Sequence, residues 1–204
     1  MNKDQRKKYL QPVIQTVSGK VFNYLDPEPD QIVIGDIAHA LSRLCRFAGH
    51  TQEHYSVAQH SVIMSGLPVD EWQIGCNPVY WRMYVLLHDA AEAYMGDMPS
   101  TLKQLIPQFK LIEANVEKAI EERFNLRTDE KIVSVAKHAD LRMLATEIEQ
   151  LMLPYAEHDI WDIVKDIKPL QITIVPWSIE TAYDQFMDRF WLYLQAILQL
   201  EGAK

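Results

Sequence analysis

The chain has 204 residues, a formal net charge of −8 and a pI near 5.3, with 48% hydrophobic and 24% charged residues. That length suits one domain able to bury a sizeable core. The acidic balance argues against a general nucleic-acid binder, which carries a basic surface, but leaves room for a small anionic substrate held by a few local cations.

In chain order, the N-terminal MNKDQRKKYL is polar and offers no apolar core for a secretory signal, and no apolar run approaches the about 18–20 residues of a membrane span, so a cytoplasmic protein is expected. VFNYL near 21–25 is a short strand candidate. Residues 36–48, DIAHALSRLCRFA, place Ile37, Ala40, Leu41, Leu44, Cys45 and Ala48 on one helical stripe, with Asp36 as a cap. Residues 55–65 make a second helix with Val57, His60, Ser61 and Met64 in line, and a third runs from about 78 to 94. Residues 107–124 form a helix with Pro107 near its first turn, and 129–152 form a long one. QITIV at 171–175 is a second strand candidate inside an otherwise unassigned segment, 154–176. A closing helix spans 178–200, begins at Ser178, and presents Ile179, Ala182, Tyr183, Phe186, Phe190, Tyr193, Leu194 and Ile197, with Trp191 beside them, an aromatic surface that reads as core closure. The expected architecture is all-α, a single domain over 1–204 with helices packed around one core. Cys45 and Cys76 form no CxxC pattern, and reduced thiols are the simplest account.

Three of these helices direct polar groups inward. Asp140 shares the stripe of Ile132, Val135, Ala136, Ala139, Met143 and Leu144, whereas His138 points away. An aspartate aimed into a core costs several kcal/mol unless its charge is compensated, by a ligand role or by the plainer route of backbone hydrogen bonds or a partner such as Arg142. His60 lies on a stripe of Val, Ile and Met, where a lone histidine is more often a satisfied core residue. His88 and Asp89 close the most apolar helix of the chain. Two imidazoles and two carboxylates together match the ligand set of one divalent transition metal (Zn, Co, Mn, Ni or Fe).

The stretch HDAAEAYMGDMPSTLK, 88–103, sets four titratable groups after the apolar MYVLL, with no base until Lys103. Glu92, one turn beyond His88, shares its helical face and can take a proton from a metal-polarised water. Asp97 follows Gly96 in a loop that can fold back to orient that water or protonate a leaving oxygen. The plain alternatives are a solvated helix acid and a turn acid. Arg46 and Lys103 read plainly as solvated basic residues, and Phe47 reads as core. His50 and His54 read as structural or surface residues, His39 lies off its helix stripe, and His158 falls in the unassigned segment.

The order His60, then His88-Asp89 after 28 residues, then Asp140 after another 51, resembles the H…HD…D signature of the HD-domain metal-dependent phosphohydrolases. HDAAEAYMGDMP is similar to the HDxxEAYxGDxP form of bacterial 5′-deoxynucleotidases and phage deoxynucleoside triphosphohydrolases, and LCRFAGH…YSVAQHSV resembles the same subgroup. The resemblance covers about residues 16–150. It implies an HD-type helical bundle around a single metal, with His60, His88, Asp89 and Asp140 as ligands and Glu92 and Asp97 acting on the water. It also matches Arg46-Phe47 to an arginine followed by an aromatic, and Lys103 to a lysine of the same loop, which implies Arg46 and Lys103 as candidates for holding phosphate oxygens and Phe47 for stacking on a base or packing a sugar. Several family members carry Trp where Phe47 stands, which leaves base preference open. Dinuclear relatives place further histidines between the HD pair and the last aspartate; only His138 stands there, so one metal is expected.

The resemblance thus implies an enzyme hydrolysing 2′-deoxynucleotides, mono- or triphosphates, with adenine deoxynucleotides such as dATP favoured by the wording around 39–62. The alternatives are an alarmone hydrolase acting on guanosine tetraphosphate, whose HD is typically followed by another acidic pair, and a non-catalytic nucleotide-binding module. A homo-oligomer, dimer or larger, is implied by the family. Neither nucleic acid nor membrane is an expected partner.

Overall fold

The computed structural model describes residues 12–68, 77–154 and 161–202; the N-terminal stretch, Cys76 and His158 lie outside these. The elements in order are strands β1 (Val13–Gln15) and β2 (Val21–Asn23), then helices α1 (Ile34–Arg43), α2 (Val57–Ser65), α3 (Pro78–Leu87), α4 (Glu92–Met95), α5 (Ser100–Lys103), α6 (Pro107–Phe124), α7 (Glu130–Leu151) and α8 (Ile179–Gly202). The chain is mostly helical, as its periodicity predicts, and no described helix is long and apolar enough to cross a membrane.

α2 is the central element. It packs against α1, α3, α7 and α8, and eight of its residues, Val57–Val62 with Met64 and Ser65, are buried. Ser56 caps its start by accepting a hydrogen bond from Gln59 N at 3.1 Å. α8 lies across α1, α2 and α3 and buries Ala182, Phe186, Phe190 and Tyr193, so the aromatic face does close the core. Ser178 caps it, its hydroxyl accepting from Thr181 N at 3.1 Å.

The helix expected over 36–48 is shorter. It starts at Ile34 and ends at Arg43; Cys45 then bridges to Ser56, and Phe47 and Ala48 adopt left-handed backbone at φ 55° and 51°. Asp36 is not its cap. It is buried in the first turn, where its carboxylate accepts from Ser18 N at 3.0 Å and Ser18 Oγ at 2.7 Å, tying the hairpin to α1. The hairpin pairs Val13 with Asn23, Ile14 with Phe22 and Gln15 with Val21. Its inner residue Phe22 is fully buried and stacks on Tyr94 of α4 at 4.0 Å, while Tyr24 donates to the Tyr94 carbonyl at 2.7 Å. The hairpin therefore pins the short helix that carries Glu92.

The segment 171–175 is not a strand. It keeps a strand's alternation, with Leu170 and Ile174 buried and Gln171, Thr173 and Val175 exposed, but side chains replace the partner strand. Thr146 Oγ1 accepts from Leu170 N, Gln150 bonds Ile172 O and Ile174 N, and Gln59 bonds Val175 O and Trp177 N, all at 2.8–2.9 Å. Arg142 donates to the Lys168 carbonyl at 3.0 Å on the same strap.

Candidate metal centre

α2, α7 and the turn after α3 meet at one point. The helix expected to run through 94 stops at Leu87; from there Ala90, Glu92, Ala93 and Tyr94 donate to carbonyls three residues back, a tighter winding than the α-helix. His88 and Asp89 sit on this turn. His88 Nδ1 lies 2.7 Å from the Val85 carbonyl, which fixes the ring and turns Nε2 toward the centre.

Ligand-type atoms of His60, His88 and Asp140 all lie within 4.8 Å of one another, a group able to hold a metal ion. His60 Nε2 is 3.3 Å from Asp140 Oδ1 and 3.7 Å from Asp89 Oδ2, and His88 Nε2 is 3.3 Å from Asp89 Oδ2. The rings of His60 and His88 are 5.5 Å apart. Both Nε2 atoms are buried, and neither makes a hydrogen bond of good geometry. His60 is wholly inaccessible, whereas the Asp140 side chain is 40% exposed: it borders the opening of the centre instead of pointing into a dry core.

Arg46, from the turn after α1, enters the same cluster. Its Nε and Nη2 donate to Glu147 Oε2 at 3.2 and 3.0 Å, and Nη1 stands 3.6 Å from Asp89 Oδ2. Burial opposes its charge, but Glu147, Asp89 and Asp140 hold the guanidinium firmly protonated. Phe47 beside it is half-buried, edge-on to Trp161 at 6.1 Å. Lys103 Nζ reaches Glu113 Oε1 at 2.6 Å and Glu92 Oε1 at 3.7 Å.

Glu92 is buried, and its Oε2 has no hydrogen-bond partner. Burial above all, then the charges of Asp89 and Asp97, push its carboxyl well above the usual range against the pull of Lys103 and Arg46. Asp97 is raised as well, by burial first, with Arg46, Lys103 and His60 pulling it down. Burial and Arg46 press the His60 imidazole down, but Glu147 and Asp140 outweigh them and hold it up at about 9. Asp140 goes the other way: burial works to raise it, and His60, His88 and Arg46 bring it below the ordinary carboxylate range.

Glu147 is the residue that the helical stripe of α7 did not point to. It is fully buried, with Oε1 2.6 Å from His60 Nδ1. The available signal was its spacing: it lies seven residues, two turns, after Asp140 and so on the same face. Among the other histidines, His50 and His138 are exposed, and His54 Nε2 contacts the Ser42 carbonyl at 3.3 Å.

No family model matches the chain. It is 39% identical over 178 residues to the uncharacterized protein YfdR of Escherichia coli (strain K12), an alignment spanning 87% of this chain and 93% of that one. It is 35% identical over 143 residues to the uncharacterized protein RCAP_rcc00048 of Rhodobacter capsulatus, spanning 66% and 70% of the two chains.

Proposed function

The chain belongs to the same family as the Escherichia coli protein YfdR, and from the geometry of its candidate centre we propose that it is a metal-dependent phosphohydrolase of 2′-deoxynucleotides built as an HD-type bundle. The observation that carries this reading is the pair of buried Nε2 atoms, on His60 and His88, left without hydrogen bonds beside the carboxylates of Asp89 and Asp140. A buried polar atom without a partner costs about 1–3 kcal/mol, and two such ring nitrogens with two carboxylates are the donor set of a single divalent cation.

His60, His88, Asp89 and Asp140 would hold the ion. When bound, a divalent transition metal (Zn, Co, Mn, Ni or Fe) supplies Lewis acidity toward a phosphate oxygen and makes nearby water more acidic. Arg46 offers a fixed guanidinium to the phosphate oxygens, with Lys103 as a second cation and Phe47 as a face for the nucleoside. The oxygen of water forms a bond to phosphorus while Glu92 takes its proton. The bond from phosphorus to the 5′-oxygen breaks, and Asp97 returns a proton to that oxygen. Burial raises both carboxyls, so each holds a proton more firmly than an exposed acid does, which suits groups that take up and hand on a proton. The products are a deoxynucleoside and phosphate from a monophosphate, or triphosphate from a dNTP; adenine deoxynucleotides are the favoured substrates.

The test is chromatographic product analysis of purified protein with Mn²⁺, Co²⁺ or Zn²⁺ against deoxynucleoside mono- and triphosphates, ribonucleotides and guanosine tetraphosphate. Release of a deoxynucleoside is expected. No turnover of any deoxynucleotide by metal-loaded protein overturns the substrate class, and full activity in His88→Ala removes the mechanism.

A further inference from the structure

Glu147 is a charged group that the proposed reaction leaves unused, although no part of its side chain is exposed. Its two oxygens serve different partners. Oε1 lies 2.6 Å from His60 Nδ1, and Oε2 accepts two hydrogen bonds from Arg46. We infer that Glu147 is a positioning residue that joins the metal-facing His60 to the anion-facing Arg46, one carboxylate orienting both; this rests on the metal-centre reading above.

The physical case has two halves. An imidazole that donates its Nδ1 proton to a carboxylate presents an unprotonated Nε2, which is the form a cation needs, and the partner fixes the ring's direction. His60 Nε2 is the atom that faces Asp140 and Asp89. Arg46 is held by two donors on a single oxygen, so its remaining Nη1 stays aimed at Asp89 and the cluster. Glutamine at 147 can accept through its one carbonyl oxygen but offers an N–H₂ on the other side, where both partners are donors. Repulsion between that N–H₂ and a donor displaces the side chain from its other partner as well, so both arms loosen.

The test measures two affinities in Glu147→Gln: Zn²⁺ by chelator competition, and inorganic phosphate on the Zn²⁺-saturated protein by calorimetry. Zn²⁺ binding is expected to weaken about 10–100-fold, the usual effect of losing a partner behind a ligand. Phosphate affinity is expected to fall toward that of Arg46→Ala. Wild-type Zn²⁺ affinity in the variant overturns the inference, as does weakened Zn²⁺ binding with phosphate affinity untouched. Wild-type protein that binds no Zn²⁺ overturns the metal-centre reading itself and the inference with it. Should Glu147→Gln fail to fold by circular dichroism, histidine ¹⁵N spectra of the Zn²⁺-loaded wild type decide: a protonated Nδ1 on His60 is expected, and Zn²⁺ on that nitrogen overturns the inference.

Discussion

The Lys103 ammonium lies 3.7 Å from Glu92 Oε1 but 2.6 Å from Glu113 Oε1, so the cation beside Glu92 is held chiefly by a different acid. Glu92 is thereby left as a buried carboxylate with one oxygen unbonded and two like charges close by. A group in that position trades stability for reactivity.

The first prediction follows from this trade. The Glu92 carboxyl titrates higher in the folded chain than its unfolded value of about 4.5, so its contribution is fully present below that value. It is lost as pH rises through the raised folded value, because the buried charge must then form. In metal-free protein, Glu92→Gln should melt higher than wild type near pH 8 and alike near pH 4. Its hydrolytic rate should fall by about 10²–10⁴-fold. Identical melting at both pH values would show that Glu92 bears no such penalty.

Ligand substitutions should separate binding from stability. Asp140 is 40% exposed, so Asp140→Asn should abolish stoichiometric Zn²⁺ binding at a cost of about 1–2 kcal/mol in folding free energy. His60 is fully enclosed against Glu147 and Arg46, so His60→Ala should abolish binding and also cost about 3–5 kcal/mol through the cavity and the disturbed buried charges. Denaturant melts in chelator, paired with metal analysis, compare the two. Equal costs would contradict the difference in burial.

Gly96 connects Glu92 to Asp97 with φ 81° and ψ 156°, a conformation nearly restricted to glycine, and a Cβ there would meet nothing within 4 Å. Gly96→Ala should therefore cost about 1–3 kcal/mol purely as backbone strain. Relaxation of that strain should displace Asp97 and lower kcat. An alanine variant with wild-type melting and rate would show that the loop does not need this geometry.

Gln150 is expected to hold the strap at 170–177 as a partner strand would. In Gln150→Ala the Ile172 carbonyl and Ile174 amide lose their bonds, at about 1–3 kcal/mol, and the Ile174 amide should exchange with solvent much faster. Gln59→Ala should do the same at Trp177. Unchanged protection in both variants would mean that burial alone secures the strap.

What could be read in the residues depended on which physical signal was local. The long helices were legible because apolar spacing in α7 and α8 follows their buried faces, and His138 was correctly turned outward by the same phase. The break after Arg43 was not legible, since Leu44, Cys45 and Ala48 continue a helical stripe that the backbone abandons; two left-handed residues leave no mark in hydrophobic spacing. The segment 171–175 was expected as a strand and is not one, because its hydrogen bonds come from glutamines far away in the chain, which its own residues do not reveal. In the centre, the convergence of His60, His88 and Asp140 was visible as polar residues on apolar elements. Glu147 was not, because the stripe of α7 was followed only as far as Leu144, one turn short of the acid that continues the face of Asp140.

The enclosure of α2 has a further consequence for how the centre comes into being. Nine residues are too few to hold a helix in water, and this one has almost no side to turn toward solvent. It must gain its order together with the four helices that surround it. The His60 ring is thus set only when the whole molecule is assembled, and slow hydrogen exchange at its amide should track global unfolding, not local fraying.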